Sequence, residues 1–160
     1  MASRIDERSC DDMKRFLALF AALGCSLATS LALADPLPVT GQWRTIDEQG
    51  VEQSVVEIYE RGGKIFGKIV SLKQPLDEKG KPKICTACEG ADKNKPIVGL
   101  VIIRNMVRDD DEYDDGTILD PNNGETYSCK LEAIEGGKKL KVRGFLGISL
   151  LGRTQTWLKK

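Results

Sequence analysis

The sequence contains no histidine among its 160 residues. This absence excludes a Ser-His-Asp or Cys-His nucleophile system, and it excludes zinc or haem bound through histidine. Acid–base catalysis would have to use carboxylates, lysine or tyrosine. The absence outweighs every positive catalytic signal in the chain. We therefore predict no catalytic residues and expect that the protein is not an enzyme.

An excess of charge of one sign is also missing, because 24 Lys and Arg residues balance 24 Asp and Glu residues. Nucleic-acid binding normally needs a clustered basic excess, and no such cluster is visible. After residue 34 there is no second long apolar run. We therefore expect no nucleic-acid partner and no stable membrane insertion of the remaining chain.

The N-terminal part has the features of a secretory signal peptide. A short basic segment, Met13-Lys14-Arg15, precedes a run of apolar and small residues from Phe16 to Leu33. Ala32-Leu33-Ala34 then fits the small-x-small rule for cleavage. We predict a cleavable signal peptide over residues 1–34, with Met13 as the true start.

Two other interpretations of this segment stay open. A membrane anchor would need a continuous apolar run, and this run is interrupted by Gly24, Ser26 and Thr29. A lipoprotein would attach lipid to Cys25 after Leu23-Gly24, although Ala22 stands where a leucine is preferred.

Residues 35–160 have the size of a single domain. Short segments rich in β-branched and aromatic residues alternate there with turn signals, which is typical of an all-β barrel or sandwich. We predict about eight antiparallel strands, which can close around packed side chains or one small ligand. The predicted strands are Gly41–Thr45, Ser54–Tyr59, Ile65–Leu72, Val98–Ile103, Thr117–Asp120, Thr126–Ile134, Lys139–Phe145 and Thr154–Leu158.

Two predicted connections are longer than tight turns. Lys73–Pro96 reads as an irregular loop rich in Pro, Gly and Lys, and loops of this length are usually functional or mobile. Arg104–Asp115 reads as a charged connector. Its acidic run suggests calcium, but an EF-hand frame would put Asn122 where a bidentate glutamate is needed. We therefore predict a solvated acidic loop and no metal site.

Several motifs resemble the bacterial domain-of-unknown-function 2147 family, in the family's order. They are Gly41-x-Trp43, Gly67–Val70, Pro96–Leu100, Leu119–Tyr127, Val142–Gly147 and Gly152–Trp157. The resemblance covers residues 35–160 and implies an exported protein of Gram-negative bacteria, hence a periplasmic location. It also implies a lipocalin-like (calycin-type) β-barrel able to hold a ligand. The family has no established activity, so the resemblance carries over no catalytic residues.

The start of this domain also resembles lipocalins in general. Lipocalins begin with a Gly-x-Trp strand, and a basic residue near the end of the chain packs over the Trp. Gly41-x-Trp43 matches the first feature, and we predict Arg153 for the second. A guanidinium over an indole contributes roughly 0.5–2 kcal/mol, and here it would close one end of the barrel. Alternatively, Trp43 is a simple core residue and Arg153 a surface charge.

Cys85-x-x-Cys88 is the sharpest local motif. We favour a disulfide between Cys85 and Cys88, as expected in an oxidising compartment. A pairing of Cys129 with one of them, and a redox or metal site, are the alternatives. The neighbours Lys83-Ile84 and Glu89-Gly90 match a thioredoxin-like strand and helix poorly, and Cys129 reads as a buried inert thiol.

These observations favour a monomer that binds or transports a small apolar or amphipathic ligand, without a metal or other cofactor. The sequence does not identify the ligand-binding residues. A protein-interaction module of the cell envelope is the first alternative, and a thiol-redox or metal-binding protein acting through Cys85 and Cys88 is the second. With aromatic residues at 6% of the chain, the barrel interior could be open or filled by side chains.

Overall fold

The computed structural model describes residues 38–160, which form a closed β-barrel of eight strands. Each strand pairs antiparallel with the next one along the chain, and β1 pairs with β8 to close the barrel. This confirms the predicted all-β fold. The strands are β1 (Gly41–Ile46), β2 (Glu52–Arg61), β3 (Lys64–Leu72), β4 (Val101–Asp109), β5 (Glu112–Leu119), β6 (Thr126–Ile134), β7 (Lys139–Phe145) and β8 (Gly152–Lys159).

The strands follow the alternation of inward and outward side chains that a barrel wall requires. In β7, Leu140 and Val142 are buried while Lys141 between them is exposed. Gly62 and Gly63 form the tight turn between β2 and β3, both with positive φ, which matches the residue preference of a two-residue hairpin loop. The local sequence thus determines both the strand faces and this turn.

One end of the barrel is closed and the other is open. Large buried side chains fill the half that contains the start of β1 and the end of β8; they include Trp43, Ile58, Met106, Leu131 and Leu140. The four connections at the opposite end are residues 47–51, 73–100, 120–125 and 146–151. We call this opposite end the open end.

The prediction of a charged connector over Arg104–Asp115 is wrong. Its residues belong to β4 and β5, which meet at a tight turn at Asp110 and Asp111. The charges misled the prediction because side chains on the outer face of a barrel are solvated. Asn105 and Asp115 also have positive φ inside the strands and interrupt the period-two pattern.

The connection between β3 and β4 is longer than predicted and has regular backbone structure. Isolated β-bridges join Leu76 to Pro82 and Ile84 to Pro96, and a short 3₁₀ turn covers Gly90–Asp92. The Asp92 carboxylate accepts a hydrogen bond from Arg104 of β4 at 2.6 Å. The bond from Arg104 holds the connection against the barrel, whereas the two bridges order the connection internally.

The predicted signal peptide, residues 1–34, and Cys25 within it lie outside the described residues. Across residues 38–160, no helix has the length and apolar character needed to cross a membrane.

Candidate functional site

The open end of the barrel contains a cavity of about 660 Å³. This volume lies within the range of roughly 300–1,000 Å³ that is usual for small-molecule sites. The cavity is a cup that opens to solvent between the four connections. Its lining combines apolar, amide, hydroxyl and charged side chains.

The inner part of the cavity is apolar. Ile69, Ile102, Ile118, Val142 and Trp157 line it from five different strands. Trp157 is almost fully buried and separates the cavity from the filled half of the barrel. A ligand that reaches these residues exchanges water for apolar contact, which is the main favourable contribution to binding.

Neutral polar groups lie on the wall of the cavity. The hydroxyl groups of Thr45 and Ser54 are hydrogen-bonded to each other at 2.8 Å, so both are satisfied without a ligand. Gln155 accepts a hydrogen bond from the Trp157 indole at 3.0 Å through its amide oxygen. The amide nitrogen of Gln155 is left to donate to a bound molecule.

The rim of the cavity carries both signs of charge, with Asp47 and Asp120 against Lys83 and Arg153. The backbone N–H of Val51 donates to Asp47 at 2.8 Å and holds the pKa of that carboxyl below its usual range. Since the charges balance, the rim does not select strongly for an anion or a cation.

The predicted Cys85–Cys88 disulfide is present, and it positions part of the rim. Both cysteines are fully buried, and their loop packs on the connection between β5 and β6. A Cβ atom at Gly124 of that connection would lie 2.1 Å from the Ala87 carbonyl oxygen. The backbones of the two connections are therefore in close contact beside the cavity.

The prediction that Arg153 packs over Trp43 is wrong. The Arg153 guanidinium lies at the open end and pairs with Glu48 at 2.9 Å, with both side chains largely exposed. Lys159 takes the predicted place, with its Nζ 4.2 Å from the Trp43 ring centroid. The reason is the strand register, because β8 places Lys159 directly opposite Trp43.

Gly41 belongs to the same contact at the closed end. Its φ is +120°, and a Cβ atom there would lie 2.7 Å from the Lys159 Nζ. Lys159 also donates to the Thr40 carbonyl at 2.7 Å, and Trp43 donates through its indole to Val39 at 2.7 Å. Partial burial lowers the pKa of Lys159. The Gly41-x-Trp43 motif thus serves barrel closure and does not line the cavity.

Cys129 is a free thiol inside the barrel wall and is buried. Burial raises the pKa of this thiol to about 12, so it is protonated at neutral pH. Because the thiolate is the reactive form, Cys129 is poorly suited to redox chemistry or metal binding.

Three carboxylates, those of Asp109, Glu112 and Asp114, approach one another at the closed end. The Lys130 ammonium pairs with Glu112 and, at 3.3 Å, with Asp114. These ion pairs raise the pKa of Lys130. The cluster is therefore explained by a surface ion-pair network.

Comparison with known proteins agrees with this architecture. Residues 41–159 match the family described as uncharacterized protein conserved in bacteria (DUF2147). The chain belongs to this family. No curated protein matches the sequence.

A solved structure shows the same fold as this DUF2147 member. Protein HP1028 from the human pathogen Helicobacter pylori, described as belonging to the lipocalin family, superposes with a TM-score of 0.64. The two sequences are 20% identical, and the match covers 78% of this chain and 84% of that chain. The lipocalin-like barrel is thereby shown, while the low identity carries no statement about the ligand.

The cavity residues were not identified from the sequence, although a partial signal exists. Gln155 and Trp157 are two residues apart on one strand and therefore point to the same side of the sheet. A polar residue beside a Trp on an inward face suggests a site rather than a dry core. The residues contributed by the other strands depend on the register around the barrel.

Proposed function

We propose that this protein binds one small apolar or amphipathic molecule in the cavity at its open end. The observation that carries the proposal is the cavity of about 660 Å³, with an apolar floor and a polar rim. The filled half of the barrel stops the ligand at Trp157, so the site is a cup rather than a channel.

The proposed mechanism is desolvation of the apolar part of the ligand. Burial of apolar surface contributes roughly 25 cal/mol per Å², so an acyl or ring system on the cavity floor supplies most of the affinity. The polar end lies toward the rim, and the Gln155 amide on the cavity wall can donate a hydrogen bond to it. Because the rim charges are balanced, we propose an uncharged or zwitterionic polar end.

We further propose that the protein works as a monomer in the periplasm. The signal-like N-terminal sequence supports export. The Cys85–Cys88 disulfide is typical of an oxidising compartment. Fractionation of cells that express the full chain, followed by light scattering of the purified protein, tests both parts of this proposal.

Ligand binding is tested with an uncharged fluorescent polyene, the methyl ester of cis-parinaric acid, in a Trp43→Phe background. Trp157 is then the only tryptophan of the barrel and lies at the cavity floor. We expect saturable energy transfer from Trp157 to the bound probe. Unlabelled neutral lipids should compete with the probe.

Two variants of β7 make the test specific. Gly144 lines the cavity, and a Cβ atom added there would lie no closer than 3.5 Å to Ile118 and Tyr127, so Gly144→Leu is the variant chosen to occupy the cavity. We expect it to weaken probe binding at least about 10-fold. Lys141→Leu changes the outer face of the same strand and should leave binding unchanged.

Mass spectrometry of an organic extract from the purified protein gives an independent readout. A stoichiometric apolar or amphipathic compound in the wild type, but not in Gly144→Leu, supports the proposal. Failure of the wild type to bind any probe, together with an empty extract, overturns it.

A further inference from the structure

The connection between β7 and β8 exposes an unusual amount of apolar surface. Leu146, Ile148, Leu150 and Leu151 are 62%, 63%, 83% and 69% exposed, and residues 146–151 contain no charged residue. We call these six residues the apolar connection. Three further exposed aliphatic residues, Leu76, Ile84 and Val98, belong to the connection 73–100 at the same end. Of the eight large exposed hydrophobic residues in the described part of the chain, seven thus lie in connections at the open end.

Three consecutive carbonyls of the apolar connection, those of Ile148, Ser149 and Leu150, accept hydrogen bonds. The Arg143 guanidinium donates to the carbonyl of Ser149 at 2.9 Å and to that of Leu150 at 3.2 Å. Its remaining nitrogen donates to the Thr154 hydroxyl at 2.8 Å. The Ile148 carbonyl accepts from the Leu151 N–H at 3.1 Å. These bonds lower the cost of bringing this part of the loop into an apolar medium, because unpaired backbone groups are costly there.

The size of the surface favours a lipid layer over a protein partner. A stable protein interface buries roughly 800 Å² on each side, and four aliphatic side chains offer clearly less than this. Shallow insertion into a bilayer interface scales with the apolar area that is buried, so a few protruding aliphatic side chains can supply it.

The charges around the mouth point to apolar rather than electrostatic attraction. The four connections at the open end contain six lysines and eight Asp or Glu residues. Six positive and eight negative charges leave a net charge of −2, so there is no excess of positive charge toward anionic headgroups. The attraction to a bilayer would therefore come from burial of the apolar side chains.

We propose that the open end docks reversibly on a lipid bilayer, with Ile148 and Leu150 inserted at the boundary between headgroups and acyl chains. Leu146 and Leu151 line the cavity as well as belonging to the apolar connection, so docking places the mouth of the cavity against the lipid. If the proposed ligand binding holds, an amphipathic molecule can pass between bilayer and cavity without crossing bulk water. The docking itself does not depend on a ligand.

The first test measures co-sedimentation of the full chain with phosphatidylcholine vesicles. We expect the double variant Ile148→Ser/Leu150→Ser to lower the partition coefficient about 10-fold or more, as expected for two aliphatic side chains. Val107→Ser is the matched control, since Val107 is an exposed aliphatic residue of β4 near the closed end, and it should bind like the wild type. Binding should change little with salt.

The second test locates the contact. Leu150→Trp should show blue-shifted emission that phosphatidylcholine brominated on its acyl chains quenches, whereas Val107→Trp should not be quenched. Residues 1–37 are the same in every protein compared, so contact through them cannot produce a signal specific to position 150. Trp43 and Trp157 are buried and give a common background.

Three results would overturn the proposal. They are equal vesicle binding by the wild type and the double Ser variant, unquenched emission from Leu150→Trp, and concentration-dependent dimers that the double Ser variant abolishes. The last result would assign the apolar connection to a second copy of the chain. Because probe binding in the cavity is measured without vesicles, failure of docking is distinguishable from failure of ligand binding.

Discussion

Lys159 illustrates how one residue can balance two opposing effects. Its ammonium gains from the Trp43 ring and the Thr40 carbonyl, but partial burial removes water and lowers its pKa. The ring and the carbonyl together must compensate for this lost hydration. The net contribution to stability is therefore smaller than the two contacts alone suggest.

We expect Lys159→Met to lower the free energy of unfolding by about 1 kcal/mol, because it removes a cation–π contact and a hydrogen bond. Urea denaturation followed by tryptophan fluorescence measures the change. Arg153→Gln is the control and should cost less than about 0.5 kcal/mol, since its pair with Glu48 is exposed. A larger loss for Arg153→Gln than for Lys159→Met would contradict the assignment.

Cys129 gives a prediction about pH. Its pKa is about 12 in the folded protein, against an ordinary value of 9.0. Above pH 9 the unfolded state loses this proton while the folded state keeps it, so the thiol's contribution is complete below pH 9 and falls as pH rises toward 12. The slope approaches about 1.4 kcal/mol per pH unit, which corresponds to one proton.

Cys129→Ala should remove this part of the pH dependence. Urea denaturation of both proteins between pH 8 and 10.5 should show the wild type losing stability relative to Cys129→Ala as pH rises. Other groups that titrate in this range are common to both proteins. A constant difference across the range would contradict the raised pKa of Cys129 in the folded protein.

At the scale of elements, the connection 73–100 and the β5–β6 connection form the rim as a unit. The disulfide shortens only a small loop, so its chain-entropy contribution is about 2 kcal/mol. Its larger effect is local, because it holds Ala87 against Gly124. The shape of the mouth therefore depends on a backbone contact between two loops.

Gly124→Ala should separate these loops. The added Cβ would meet the Ala87 carbonyl at 2.1 Å in a backbone with φ +78°, so we expect a loss of roughly 2 kcal/mol or more. Gly80→Ala has a similar φ of +74° and nothing within 4 Å, so it measures the cost of the backbone conformation alone. Thermal unfolding of both variants gives the comparison, and equal losses would refute the close contact.

An element of the fold could be predicted when residues close together in the sequence determine it. The β2–β3 hairpin was predictable because Gly62 and Gly63 mark the turn between two β-rich segments. The β4–β5 hairpin was missed because Asn105 and Asp115 interrupt the alternation and its outward side chains are charged. Likewise, choosing Lys159 rather than Arg153 required the pairing of β8 with β1, which no local pattern contains.

At the scale of the whole molecule, the fold was predictable and the cavity was not. The number of strands and their order follow from turn spacing along the chain. The volume of the cavity depends on how far along the barrel axis large side chains fill the interior. Trp157 marks the end of the filled part, and its position relative to the other strands follows from the register of all eight strands. The sequence therefore indicated a β-barrel without showing the volume of its cavity.

The closing pair of strands has a consequence for the kinetics of folding. β1 meets β8 through Trp43 opposite Lys159 and Arg44 opposite Leu158, which joins the two ends of the domain. Contacts of such high sequence separation form slowly. Until β8 arrives, β1 and β7 are free edges that can pair with other chains. We therefore expect the docking of the last strand to set the time during which this protein is exposed to aggregation.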